Sequence, residues 1–119
     1  MKKIVLVDDM DIFNFIMKKV ISNVNPGHQV HDFTNSQQAL EQLEDLEPNV
    51  IFLDLNMPEV NGWDFLEDMK ARNLPHKVYI LTSSTSELDR QRSEKYQNVV
   101  NFLTKPVAQD KVAEILKEV

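Results

Sequence analysis

The chain contains no cysteine, which excludes a disulfide framework and a thiolate nucleophile and is compatible with a reducing compartment. Glycine is almost as scarce. With only Gly27 and Gly62 among 119 residues, neither a Walker phosphate loop nor a dinucleotide-binding fingerprint can be assembled. Positive charge is also short, 13 basic against 19 acidic residues for a net charge of −6. A surface of that sign repels phosphate backbones, so no direct nucleic-acid partner is expected, while an acidic excess suits a cation site. No long apolar run exists: the Met-Lys-Lys start leads into residues 4–7 and meets Asp8 at once. Neither a signal peptide nor a membrane span is predicted, and the expected location is cytoplasmic. The length fits one domain, 1–119, able to bury roughly two-thirds of the surface its unfolded form exposes.

What the chain does have is alternation. Residues 4–7, 50–53, 78–81 and 99–103 are short apolar runs rich in β-branched and aromatic side chains, as in strands buried on both faces of a parallel sheet. A weaker run at 29–33 predicts a strand nearer the sheet edge. Between them apolar residues recur at helical spacing: Ile12, Phe13, Ile16, Met17, Val20 and Ile21; then Ala39, Leu40, Leu43 and Leu46; then Trp63, Phe65, Leu66 and Met69; and finally Val107, Val112, Ile115, Leu116 and Val119. Asn25, Pro26 and Gly27 break the first helix, residues 34–37 offer caps for the second, and Asn61 can cap the third. A fourth helix over 86–96 is expected to open on a capping box of Ser84 and Glu87. Its only sizeable apolar residues are Leu88 and Tyr96, so it is predicted to be poorly anchored. Five strand-helix units imply right-handed crossovers and an α/β, doubly wound parallel sheet with helices on both faces.

Strands of such a sheet all point one way, so the residues after four of them meet at one edge: Asp8 and Asp9, Asp54, Thr82, and Lys105. Taken singly, Asp9 reads as a helix cap, Thr82 as a turn residue and Lys105 as a solvated amine. Together they demand more. Like charges about 4 Å apart repel by roughly 4 kcal/mol at an effective dielectric of 20, so three carboxylates need something to cancel them. Mg²⁺ takes oxygen ligands, keeps several waters and uses one or two carboxylates, which fits Asp9 and Asp54 with Asp8 behind a water. Lys105 adds positive charge where a transferred phosphoryl group would carry its oxygens.

With this constellation the chain resembles the receiver domain of bacterial two-component response regulators, of the chemotaxis-regulator type, along its whole length. The matching pieces are Asp8 and Asp9, Asp54 in Asp-Leu-Asn-Met-Pro with Gly62 beyond, Thr82, and Lys105 with Pro106. The resemblance implies strand order 2-1-3-4-5 and a cis Lys105-Pro106 peptide. It implies that Asp54 accepts a phosphoryl group from a sensor histidine kinase or histidine phosphotransfer protein, with Mg²⁺ held by Asp9, Asp54 and the backbone carbonyl of Asn56. Asp8 would act through water, and Lys105 and Thr82 would bind phosphoryl oxygens. Phe102 would be the aromatic switch, turning into space that Thr82 vacates. Asn56 and Ser84 would tune the lifetime of the phosphoryl group, and a downstream protein partner would read the fourth helix, fifth strand and fifth helix. On this reading the chain is a regulator that assists its own phosphorylation and dephosphorylation, not an enzyme with an outside substrate. Ser83 stands where the family often has alanine.

Two rival readings are weaker. A haloacid-dehalogenase-like phosphatase needs a second Asp two residues after the nucleophile, and Asn56 sits there. A pseudo-receiver that binds partners without phosphorylation would have no use for the intact acidic pair and Lys105. His28 and His31, three apart on a strand, point to opposite faces and read as surface histidines. The final helix ends in Lys-Glu-Val without a linker, and a stand-alone regulator is expected.

Overall fold

The computed structural model describes residues 1–57, 61–83 and 86–119. Strands β1 (Lys3–Val7), β2 (Gln29–Phe33), β3 (Val50–Asp54), β4 (Val78–Thr82) and β5 (Val99–Thr104) alternate with helices α1 (Asp11–Val24), α2 (Ser36–Leu46), α3 (Gly62–Ala71), α4 (Glu87–Ser93) and α5 (Gln109–Glu118). The strands form one parallel sheet in the order β2-β1-β3-β4-β5. The weakly apolar β2 is at the edge, and every residue of β3 and β4 is buried. Side chains alternate between sheet faces with period two, and each face has its own core. Val5, Ile51, Leu53 and Ile80 meet Leu40 and Leu43 of α2 and Phe65 and Leu66 of α3. On the other face Ile4, Leu6, Phe52 and Leu81 meet Met17 and Ile21 of α1 and Ile115 and Leu116 of α5. Each of these fully buried side chains contributes about 1.5–3 kcal/mol, and together they fix the strand ends that carry the polar edge.

Local sequence sets the approach of α3 to that edge. A Cβ on Gly62 would lie 2.6 Å from the carbonyl oxygen of Asp54 and 2.7 Å from the Cα of Leu55, so only glycine lets the first turn of α3 touch the end of β3. The Gly62 amide donates to the Leu55 carbonyl at 3.1 Å. Asn61 caps the helix as expected: its Oδ1 accepts from the Asp64 amide at 3.0 Å, and the Asp64 carboxylate accepts in return from the Asn61 amide at 3.3 Å. Asn35 caps α2 in the same manner, accepting from the Gln38 amide at 3.1 Å.

Three expectations change. In α1 the buried face runs through Asn14, Met17 and Ile21, while Ile12 and Ile16 are exposed beside Phe15, itself 63% exposed. The helix is apolar over more than one face, so spacing alone could not choose between the stripes. In α4 the cap is Ser86, whose Oγ accepts from the Asp89 amide at 3.3 Å; the helix starts at Glu87 and is shorter than predicted. Ser84 lies outside the described residues. His28 and His31 are half-buried, His28 accepting from the Lys2 amide at 3.1 Å.

Candidate functional site

The carboxyl edge is assembled from three strand ends. At the end of β1 the Asp8 amide donates to the Phe33 carbonyl at 3.1 Å, and its Oδ1 accepts from the Met10 amide at 2.9 Å. Met10 is the N-cap of α1 and makes no side-chain cap bond. The carboxylate of Asp8 therefore braces the turn, and Asp9 is not the cap. At the end of β3 the Asp54 Oδ1 accepts from the Asn56 amide at 3.4 Å. After β5 the Lys105 amide donates to the Thr82 carbonyl at 2.8 Å, and the Lys105-Pro106 peptide is cis.

These supports bring one carboxylate oxygen from each of Asp8, Asp9 and Asp54 within 4.8 Å of one another, Asp8 and Asp54 buried and Asp9 exposed. The Lys105 ammonium lies between the two buried groups, 2.6 Å from Asp8 Oδ2 and 3.5 Å from Asp54 Oδ1. Three carboxylates thus face one ammonium, and about two negative charges are left without a counterion, the charge of one divalent cation. Burial holds the Asp54 carboxyl above its ordinary range, with the Asp8 charge adding to the effect; Lys105 and the Asn56 amide pull the other way but do not win. An all-oxygen donor set with unspent negative charge fits a hard ion such as Mg²⁺.

The family-model comparison decides what this edge belongs to: residues 4–117 match the response regulator receiver domain. The chain belongs to the response regulator receiver family. Among curated relatives, the chemotaxis protein CheY of Thermotoga maritima is 26% identical over 119 residues, covering 99% of this chain and 97% of that protein. A protein-glutamate methylesterase/protein-glutamine glutaminase of Treponema denticola is 34% identical over 106 residues, 87% of this chain but 28% of that protein. The nitrate/nitrite response regulator NarL of Escherichia coli is 33% identical over 86 residues, 72% of this chain and 40% of its own length. The chain therefore spans less than half the length of these two multidomain-sized relatives. Among solved structures, the Vibrio cholerae chemotaxis protein CheY4 superposes with a TM-score of 0.85 at 23% identity, covering 100% of this chain and 98% of that one. The family-model match places nearly the whole chain within one receiver domain of the response regulator type.

Set against the receiver pattern, Asp8, Asp9, Asp54 and Lys105 converge as the sequence predicts. Thr82 is fully buried at the end of β4 and pairs in register with Thr104 of β5. Asn56 is exposed at the mouth of the crevice. Phe102 departs from expectation. An inward turn presupposes a ring that starts outside, yet Phe102 is 4% exposed, belongs to the same core as Trp63 and Ile80, and is covered by the Arg90 guanidinium 5.1 Å from its ring centroid. The apolar volume at the end of β5 already accommodates the ring. Two residues escaped the sequence reading. Asn14 is buried and donates to the Asp8 carbonyl at 3.0 Å and the Phe33 carbonyl at 3.4 Å, tying the ends of β1 and β2. Its signal was a polar residue one turn before Met17 on the buried stripe. Phe13 lies against the Lys105 ammonium, 4.1 Å from ring centroid to Nζ, and looked like one more core residue.

Proposed function

We propose that Asp54 is the phosphoryl acceptor, receiving the group from a phosphohistidine of a sensor kinase or phosphotransfer protein in a Mg²⁺-dependent reaction. One observation supports this above the others: Asp54 ends the central strand facing a second buried carboxylate, with a single ammonium between them. An Asp54 carboxylate oxygen attacks phosphorus in line, the P–N bond to the donor imidazole breaks, and the imidazole keeps the electron pair and takes a proton. Asp8, Asp9 and Asp54, with the Asn56 carbonyl, would hold Mg²⁺, which when bound neutralises carboxylate and phosphoryl oxygens. Lys105 exchanges Asp8 for a phosphoryl oxygen, and the Thr82 hydroxyl donates to another, a charged hydrogen bond of roughly 1.5–3 kcal/mol. Asn56 and Ser84 set the lifetime of the acyl phosphate, Asn56 by orienting a water; the decay rate of phosphorylated Asn56→Ala checks that role.

Two exposed apolar surfaces suit the two classes of partner. Met10, Ile12, Phe15 and Ile16 line the start of α1 directly beyond the acidic edge, where a helix presenting a phosphohistidine to Asp54 would rest. Leu88 on α4, 77% exposed, and Val100 on β5, 50% exposed, lie on the face assigned to the downstream partner. That face changes when Thr82 moves toward the phosphoryl group and the packing of Phe102 beneath Arg90 readjusts, an output coupling that Thr82→Ala should sever while leaving Asp54 able to accept the group.

Intact-mass measurement with acetyl phosphate tests the assignment. The wild-type protein with Mg²⁺ should gain one phosphoryl group, and Asp54→Asn, or wild type in excess chelator, should gain none. An adduct at wild-type yield in Asp54→Asn would sink the assignment. Partner binding that persists with Asp54 unphosphorylatable would instead favour the pseudo-receiver reading.

A further inference from the structure

We propose that Phe13 is a positioning residue for the phosphoryl site, its ring forming a cation–π seat that keeps the Lys105 ammonium in the crevice while its carboxylate partners change. This rests on the function proposed above, in which Lys105 must release Asp8 and take a phosphoryl oxygen. The ammonium sits 4.1 Å from the Phe13 centroid, 2.6 Å from Asp8 and 3.5 Å from Asp54, on a side chain only 16% exposed. Phe13 is itself half-buried, packed against the core face shared by α1 and α5. It is thus a fixed wall rather than a passing contact.

The need for such a wall follows from the chemistry of the other partners. Lysine carries a compact charge on a flexible four-carbon stem, so an ammonium that loses its carboxylate swings readily to water. Both carboxylates that hold Lys105 belong to the acidic triad that a divalent cation would claim, so their grip loosens when the site is loaded for transfer. The negative face of an aromatic ring is the remaining partner: it neither titrates nor binds a hard cation, and its attraction for an ammonium grows in a desolvated site. The other two cation–π contacts among the described residues involve exposed arginines of α4, Arg90 over Phe102 and Arg92 over Trp63. The Phe13 contact alone engages a charge of the acidic site.

Ring fluorination separates this seat from simple packing, because successive fluorines weaken the ring quadrupole while nearly preserving shape. Mono-, di- and trifluorophenylalanine at position 13 should slow phosphorylation by acetyl phosphate in saturating Mg²⁺ step by step, reaching about three- to tenfold at the third fluorine, with Phe13→Leu at least as slow and Phe13→Trp close to wild type. In the metal-free protein the ε-methylene protons of Lys105 should resonate upfield through the ring current of Phe13 and return to ordinary positions in Phe13→Leu. Rates that stay flat across the fluorinated series overturn the proposal, and so does an unshifted Lys105 resonance in wild type. A wild-type protein that accepts no phosphoryl group overturns the function of Asp54 instead, an outcome told apart because the resonance shift is read without phosphorylation.

Discussion

The central strand β3 and the helix α4 reach the same edge of the sheet by opposite means. All five residues of β3 are buried, whereas in α4 only Ser93 is buried and Leu88, its one large aliphatic side chain, is 77% exposed. What holds α4 is polar: the Ser86 cap, acidic Glu87 and Asp89 in the first turn, basic Arg90 and Arg92 in the last, and the two arginines laid over Phe102 and Trp63. Charges of that order complement the helix dipole, and each such contact is worth about 0.3–1 kcal/mol. A strand held by burial cannot move without exposing apolar area, while a helix held by small separable contacts can. The proposed acceptor carboxylate thus stands on the immobile element and the surface proposed for output belongs to the movable one.

Hydrogen exchange probes this contrast at its largest. Amides of Ile51, Phe52 and Leu53 should exchange only through global unfolding, and those of residues 90–93 through local opening several kcal/mol cheaper, a difference of about a thousandfold or more in rate. Equal protection would show that the polar anchors of α4 match the apolar ones of β3. Truncation gives the next largest effect. Phe52→Ala should cost about 3–5 kcal/mol in urea unfolding, and Leu88→Ala less than about 0.5 kcal/mol. A cost above 1 kcal/mol at Leu88 would mean that this side chain finds a partner in solution.

The same contrast explains what could be read from sequence. Buried parallel strands are continuous β-branched runs, so β1, β3 and β4 are legible, and with them the positions of Asp8, Asp54 and Thr82 at their ends. Asn61 was legible as the cap of α3 because caps demand particular residues, whereas the close approach that requires Gly62 shows only in the packing of α3 on β3. Helix faces were harder. In α1, apolar residues at 12, 13, 15, 16 and 17 offer more than one stripe, and only tertiary packing selects the one through Met17 and Ile21. The roles of Phe13 and Arg90 were hidden for another reason: a cation–π contact pairs residues from distant elements and leaves no periodic trace. Phe102 was recognisable as an aromatic near the switch, but its resting place depends on how much room Thr82 and Arg90 leave.

A smaller effect distinguishes the electrostatics of the two regions. Burial and the Asp8 charge raise the Asp54 carboxyl above its ordinary value of 3.8. Between that value and the raised one, the folded chain binds more protons than the unfolded chain, so stability falls as pH rises through this window and the full cost is present at neutral pH. In chelator, Asp54→Asn should therefore be more stable than wild type at about pH 7, with the gap closing below the ordinary carboxylate range. Urea midpoints at the two pH values measure it. A wild type more stable than Asp54→Asn at neutral pH would mean that Lys105, rather than Asp8 and burial, sets the field at Asp54. No matching pH dependence is expected from the arginine anchors of α4, because arginine stays charged throughout.

The smallest expected effect concerns those anchors. The Arg92 guanidinium lies 4.4 Å from the Trp63 ring centroid, and Trp63 stacks on Tyr96 with centroids 6.2 Å apart, so one exposed arginine closes a three-residue stack between α3 and the end of α4. Exposed cation–π contacts contribute about 0.5–1 kcal/mol, but a long arginine stem also covers apolar surface, and the two contributions need separating. Arg92→Met retains the stem and loses the charge; Arg92→Lys retains the charge and loses the planar stack. If the guanidinium face matters, both should speed exchange of the α4 amides by about two- to fivefold, leave β3 unchanged, and alter the fluorescence of Trp63, the single tryptophan. If Arg92→Met behaves as wild type, coverage rather than charge holds the helix, and α4 then differs from β3 only in how much apolar area it buries, not in kind.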